Sequence, residues 1–173
     1  MEYSKIKRIG FLIPAGFIFI ILVPTTLAYL GRYFDSIYPL ISIDYGILNT
    51  IIGVLSGVIG FAIGIWTVAV QFTEGKGTPI PKVATRQLIV DGPYAYCRNP
   101  MAFGTILLYL GFAIFARSFF AIIFVGLFAL ILITYIKKFE EKELLQKFGD
   151  AYKQYKENTS FIIPRKRKNN NST

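Results

Sequence analysis

Long charge-free stretches alternate along the chain with short clusters of charge. Nothing is charged from Ile9 to Gly31, from Tyr45 to Thr73, from Asn99 to Ala116 or from Ser118 to Ile136, runs of 23, 29, 18 and 19 residues. A helix needs about 20 apolar residues, within a range of roughly 17–25, to cross the hydrocarbon core of a bilayer. The first two runs therefore predict full spans. The last two are separated by Arg117 alone and predict a tight helical hairpin whose turn lies near one membrane face. Four such runs in 173 residues leave too little polar surface for a soluble globule. The first run is longer than a signal-peptide core and no small-x-small site follows it, so it reads as an anchor. Pro14 and Pro24 inside it predict kinks. In the second run Gly53, Gly57, Gly60 and Gly64 form a stripe of small residues, which favours close helix packing within the chain over dimerisation.

Two polar segments remain. Residues 74–98 are rich in Gly and Pro and read as a structured loop, long enough to suggest a function. Asp91-Gly92-Pro93-Tyr94 reads as a turn. Pro100 fits the first turn of the third helix, with Asn99 as its N-cap. Residues 137–164 read as an amphipathic helix with Phe139, Leu144, Leu145, Phe148, Tyr152 and Tyr155 near one face, and Lys142, Lys147, Lys153 and Lys156 on others. Glu140 and Glu141 fall within about a turn of the hydrocarbon edge. They suit either a solvated helix start or a site.

Charge then sets orientation. Of 19 Lys and Arg, 17 lie before Ile9, between the second and third runs, or after Ile136; the opposite loops hold only Arg32 and Arg117. The positive-inside rule places both termini and the 74–98 loop in the cytoplasm. The net charge of +9 is thus topological and interfacial, not a sign of nucleic-acid binding. The basic tail 165–173 is expected to be disordered and drawn to anionic headgroups. The absence of His removes Ser/His and Cys/His nucleophiles and His-based metal sites, and the single Cys97 allows no thiolate cluster. Chemistry is left to carboxylates, Arg, Lys, Tyr, amides and an organic cofactor.

The segments Gly75-Lys76-Gly77-Thr78-Pro79, Leu88 to Met101 with Gly104, Glu140-Glu141, Leu144, Phe148-Gly149-Asp150-Ala151-Tyr152, Tyr155 and Ile163-Pro164 share their order and spacing with a known group. Across residues 75–164 the chain resembles the isoprenylcysteine carboxyl methyltransferase and phospholipid methyltransferase superfamily of small integral membrane enzymes. The resemblance implies an all-α integral membrane protein of about four transmembrane helices, the last two a short hairpin, with a cytoplasmic amphipathic C-terminal helix. It would form a single membrane domain, 1–173. Residues 1–73 would supply two N-terminal helices, and 74–164 the cofactor site. The resemblance further implies S-adenosylmethionine held by Gln87, Leu88, Ile89, Tyr94, Asn99, Pro100, Met101, Ala102, Glu140 and Glu141. Glu141 and Arg98 are the catalytic candidates, with Glu141 the base for an amine acceptor. The acceptor would be lipophilic and enter from the bilayer, with membrane lipids as the other partners.

Three positions depart from the family pattern. Asn99 stands where a His is usual, and Ala102 where a Tyr is common. Ile136 stands where an Arg binds a prenylcysteine carboxylate, leaving Lys137 or Lys138 as substitutes without a bidentate fork. Two other functions remain open: an NADPH-dependent enzyme of the sterol-reductase type, and a membrane module that has lost catalysis.

Overall fold

A computed structural model describes residues 5–74 and 87–165, and every described element is helical. Helix α1 (Lys5–Phe17) passes through a π-helical turn (Ile18–Leu22) into α2 (Val23–Ile37), so the first charge-free run and the residues beyond it form one continuous rod. Helices α3 (Ile47–Thr73), α4 (Pro100–Phe115) and α5 (Phe119–Tyr135) follow the other three runs. A second π-helical turn (Ile136–Glu140) carries α5 into α6 (Glu141–Asn158). Among the described residues three helical segments, Leu12–Ile37, Ile47–Thr73 and the apolar part of Phe119–Asn158, are long and apolar enough to cross a membrane, while Pro100–Phe115 is shorter. We take Phe119–Tyr135 as the membrane part of the last one, because charge begins at Lys137.

Pro24, the second proline of the first rod, is accommodated by a shift of hydrogen-bond register. In the π turn the Val23 amide donates to the Ile18 carbonyl, five residues back. The Phe19 carbonyl then faces Pro24, which has no N–H to give. The Tyr109 hydroxyl of α4 takes its place, donating to the Phe19 oxygen at 2.8 Å. Tyr109 is fully buried, and its ring lies 5.0 Å from that of Phe128. Around it Leu108, Ala113, Ala121 and Val125 form a buried hydrophobic core.

Helices α3 and α4 approach through glycine. A Cβ on Gly104 would lie 2.8 Å from the Gly60 carbonyl oxygen, and one on Gly111 would lie 2.7 Å from that of Gly53. The interlocking pairs are thus Gly53/Gly60 against Gly104/Gly111, a seven-residue spacing on each helix. Gly57 and Gly64 have open space where their own side chains would stand. Ser56 and Asn49 of α3 add hydrogen bonds to the Leu107 and Ile114 carbonyls of α4, at 2.9 and 3.2 Å.

The C-terminal segment departs from a single amphipathic helix. Gly149 has φ 55° and ψ −129°, a conformation open essentially to glycine, and the helix breaks there. The expected apolar face divides accordingly. Phe139 and Leu145, before the break, are exposed, while Tyr152 and Tyr155, after it, are buried. The loop portion 75–86 and the tail 166–173, with the expectations attached to them, lie outside the described residues.

Candidate functional site

The chain returning from α3 reaches α4 through a short turn that positions the unusual residues. Gly92, at φ 59°, opens a 3-10 turn (Gly92–Ala95), and its Cβ position would lie 3.2 Å from Val70 of α3. The Asp91–Tyr94 stretch therefore forms the turn expected from sequence. Pro100 opens α4 as expected. Asn99 occupies the N-cap position, but its side chain does not cap the helix. It donates instead to the Phe161 carbonyl at 2.8 Å.

Residues 159–165 fold back along this turn. The Arg98 amide donates to the Ser160 carbonyl and the Arg165 amide to the Tyr96 carbonyl, both at 2.9 Å, and an isolated parallel bridge pairs Cys97 with Ser160. Tyr155 adds its hydroxyl to the Tyr94 carbonyl at 2.8 Å. Three backbone groups of a Pro- and Gly-punctuated turn, the Arg98 N–H and the Tyr96 and Tyr94 carbonyls, thus find partners far along the chain, as buried polar backbone must.

Arg98 lies at the centre. Its guanidinium meets Glu141 Oε1 at 2.5 Å, and Lys156 Nζ meets Glu141 Oε2 at 2.7 Å. Arg98 and Glu141 side chains are about nine-tenths buried, while Lys156 is half exposed. In a straight helix the 15 residues from Glu141 to Lys156 would span about 22 Å. The break at Gly149 folds the helix back and lets the two meet. Phe161 receives two cations on its ring, Arg98 at 5.5 Å and Lys137 at 4.9 Å. Gln71 of α3 donates to the Tyr94 hydroxyl. Burial, reinforced by the charge of Glu140 and opposed by the Gln71 hydrogen bond, pushes the Tyr94 phenol up to about 12.

Among the described residues of this region three buried polar atoms lack a partner: Arg98 Nε, a donor, Gln71 Oε1, an acceptor, and the Thr159 hydroxyl oxygen. Glu140 remains outside the ion-pair cluster. Its residue surface is open, yet the protein around it, followed by the charges of Glu143 and Glu141, raises its carboxyl above the ordinary value.

The structure therefore gathers Arg98, Glu141 and Asn99 about the returning segment, with Tyr94 within electrostatic reach of Glu140. Pro100 and Ala102 are buried at the start of α4, and Met101 is partly so. Ile89 is buried, Leu88 partly buried and Gln87 exposed just before the turn. Lys137 leans on Phe161, while Lys138 is exposed. Sequence reasoning did not single out Gln71, Lys156 or Phe161. Gln71 was legible only as a polar residue inside an apolar run. Lys156 looked like a solvated lysine because the reversal at Gly149 was not foreseen.

A helical membrane protein with a glycine-locked helix pair and a buried Arg–Glu pair, joined by a Lys, at the foot of a short hairpin is the class these features define. Residues 48–151 match the phospholipid methyltransferase family, which is over half the chain, and the protein belongs to that family. The match includes Arg98, Asn99, Glu140 and Glu141 and ends before Lys156. No curated protein matches the chain.

Proposed function

We propose that the protein is an S-adenosylmethionine-dependent methyltransferase of the cell membrane that modifies a lipophilic acceptor, with both termini and the site facing the cytoplasm. The observation that carries this reading is the buried Arg98–Glu141 pair, joined by Lys156, beside Tyr94 and Asn99, within a chain of the phospholipid methyltransferase family. A zwitterionic donor needs a cation for its carboxylate, acceptors for its amino and ribose groups, and an aromatic or apolar bed for its base. The orphaned Arg98 Nε and Gln71 Oε1 are a donor and an acceptor of that kind, so the residues fit the group. Arg98 would hold the carboxylate, Glu140 and Gln71 would accept from amino or hydroxyl groups, and Tyr94, Met101 and Ala102 would flank the base. The remaining candidates, Gln87, Leu88, Ile89, Asn99 and Pro100, shape the wall. Bound there, S-adenosylmethionine would supply an electrophilic methyl group on a sulfonium.

The protein's own work is alignment and exclusion of water, a proximity effect worth up to about 7–11 kcal/mol. Glu141, with both oxygens held by cations, positions Arg98. The proton-accepting role assigned to it from sequence passes in this reading to Glu140, whose raised pKa suits a general base. Between the two acceptor classes, a lipid amine is favoured over a prenylcysteine carboxylate. Ile136 is buried and apolar where an Arg would clamp a carboxylate, and Lys137 is engaged with Phe161.

The test is incubation of the purified protein, in bilayers of total membrane lipid, with methyl-labelled S-adenosylmethionine. Label is expected in an amine-bearing lipid, with Glu140→Gln reducing its rate about 100-fold or more. Binding of a nicotinamide cofactor in place of S-adenosylmethionine, or no transfer to any lipid, would overturn the proposal.

A further inference from the structure

At the far end of α4 from the Arg98–Glu141 cluster lies a groove of about 460 Å³, lined by Arg32, Thr50, Phe115, Ala116 and Arg117. Its two arginines are the only Lys or Arg between Ile9 and Thr73 or between Asn99 and Ile136, yet the fold brings them to one place. Close packing of Gly31 against Ala121 and Ser118 brings α2 to the hairpin turn. Asn49 ties the start of α3 to the Ile114 carbonyl, and Arg117 is anchored on Asp44 at 3.0 Å. These contacts join α2, the start of α3 and the hairpin turn around the groove.

The charges are unequally satisfied. Arg117 shares Asp44, whose carboxyl is held below its usual range first by its hydrogen bond to the Gly46 amide and then by Arg117. Asp35, the other acid at this end, accepts from the Phe120 amide. Arg32 gives one N–H to the Ala116 carbonyl at 3.1 Å and has no carboxylate partner among the described residues. The 16 residues of α4 reach about 24 Å, about 6 Å short of the roughly 30 Å of hydrocarbon, so its turn would lie just inside the hydrocarbon edge. An arginine at that depth reaches outward to the headgroup level, where lipid phosphate is the abundant counter-charge. Arg117 also keeps φ 53°, a left-handed conformation that glycine would adopt without strain. Beside the two cations, Phe115, Ile47 and Ile51 present exposed apolar surface.

We propose that this groove binds a phospholipid, its phosphate held between Arg32 and Arg117 and its acyl chains lying on the neighbouring apolar surface. The two guanidinium groups supply forked donors to phosphate oxygens, which a neutral lipid cannot match. This lipid is a resident of the fold. A full helix length separates it from Arg98 and Glu141, so the site is independent of the catalytic reading.

Native mass spectrometry of the whole protein with dioleoylphosphatidylglycerol, or with dioleoylglycerol as the phosphate-free control, tests it. Wild type should retain the phosphatidylglycerol, and Arg32→Gln/Arg117→Gln should bind it about thirtyfold more weakly. Arg32→Gln alone should show about a fivefold loss, recovered in part by Arg32→Lys, which keeps the charge without the fork and leaves Arg117 and its fold contacts untouched. Equal retention of dioleoylglycerol, or undiminished phosphatidylglycerol binding by the Arg32 variant, would overturn the site.

Discussion

Glu140 and Glu141 are neighbours in sequence and opposites in surroundings. Glu141 is buried, with each carboxylate oxygen on a different cation. Removing one partner from a buried pair leaves the other uncompensated, at a cost of about 3–5 kcal/mol. Glu141→Ala should therefore lower the unfolding midpoint in detergent markedly, whereas Glu140→Gln should not. An unchanged midpoint for Glu141→Ala would show that the cluster is not structural. Glu140 gives a signal in pH instead. Its carboxyl lies above the ordinary value in the fold, first because the protein around it displaces water from the carboxylate and then through the charges of Glu143 and Glu141. The folded state thus binds the proton more tightly than the unfolded chain. Its contribution favours the fold below the ordinary carboxyl range and is lost as pH rises through the raised value. Glu140→Gln should flatten the melting curve against pH in that window, and a slope equal to wild type would contradict the assignment.

Among the elements, the charge-free runs located all four apolar helices, because charge is expelled from hydrocarbon wherever the chain crosses it. What they could not locate were the joints. The π turn at Ile18–Leu22 depends on Tyr109, 90 residues away, to satisfy a carbonyl that Pro24 leaves open. The fusion of α5 to α6 through Ile136–Glu140 carries no local breaker to mark it. The bend at Gly149 was written in the sequence as a glycine, but its meaning rests on φ and ψ, which composition does not reveal. A Cβ at Gly149 meets no neighbouring atom, so any penalty of Gly149→Ala is backbone strain alone, about 1–3 kcal/mol. If the reversal brings Lys156 to Glu141, this variant should lose both stability and S-adenosylmethionine binding. Adding Lys156→Met should then cost little more. Additive losses in the double variant would show that the bend and the ion pair are unconnected.

For the whole molecule, the ends of the helices sort into two groups. The ends of α2 and α4 and the starts of α3 and α5 meet through Arg32, Asn49, Asp44 and Asp35. The end of α3 meets the turn before α4 through Gln71 and Tyr94, and the segment after α5 joins that turn through Glu141 and Arg98. The first group holds two basic residues, and the positive-inside rule predicts it to be outside the cytoplasm. This sidedness can be read with thiols. Cys97 is 1% exposed, and burial pushes its thiol up to about 11, so it is a poor background nucleophile at neutral pH. Ser36 and Lys142 are both exposed, one at each end. A membrane-impermeant maleimide added to intact cells should label Ser36→Cys and spare Lys142→Cys, with both labelled after permeabilisation. That result would require α5 to cross the bilayer and α4 to traverse it in the other direction despite its 16 residues, with the membrane thinning or Arg117 reaching outward to make up the difference. Labelling of Lys142→Cys in intact cells would reverse the orientation and place the Arg98–Glu141 cluster away from cytoplasmic S-adenosylmethionine, which the proposed reaction could not survive.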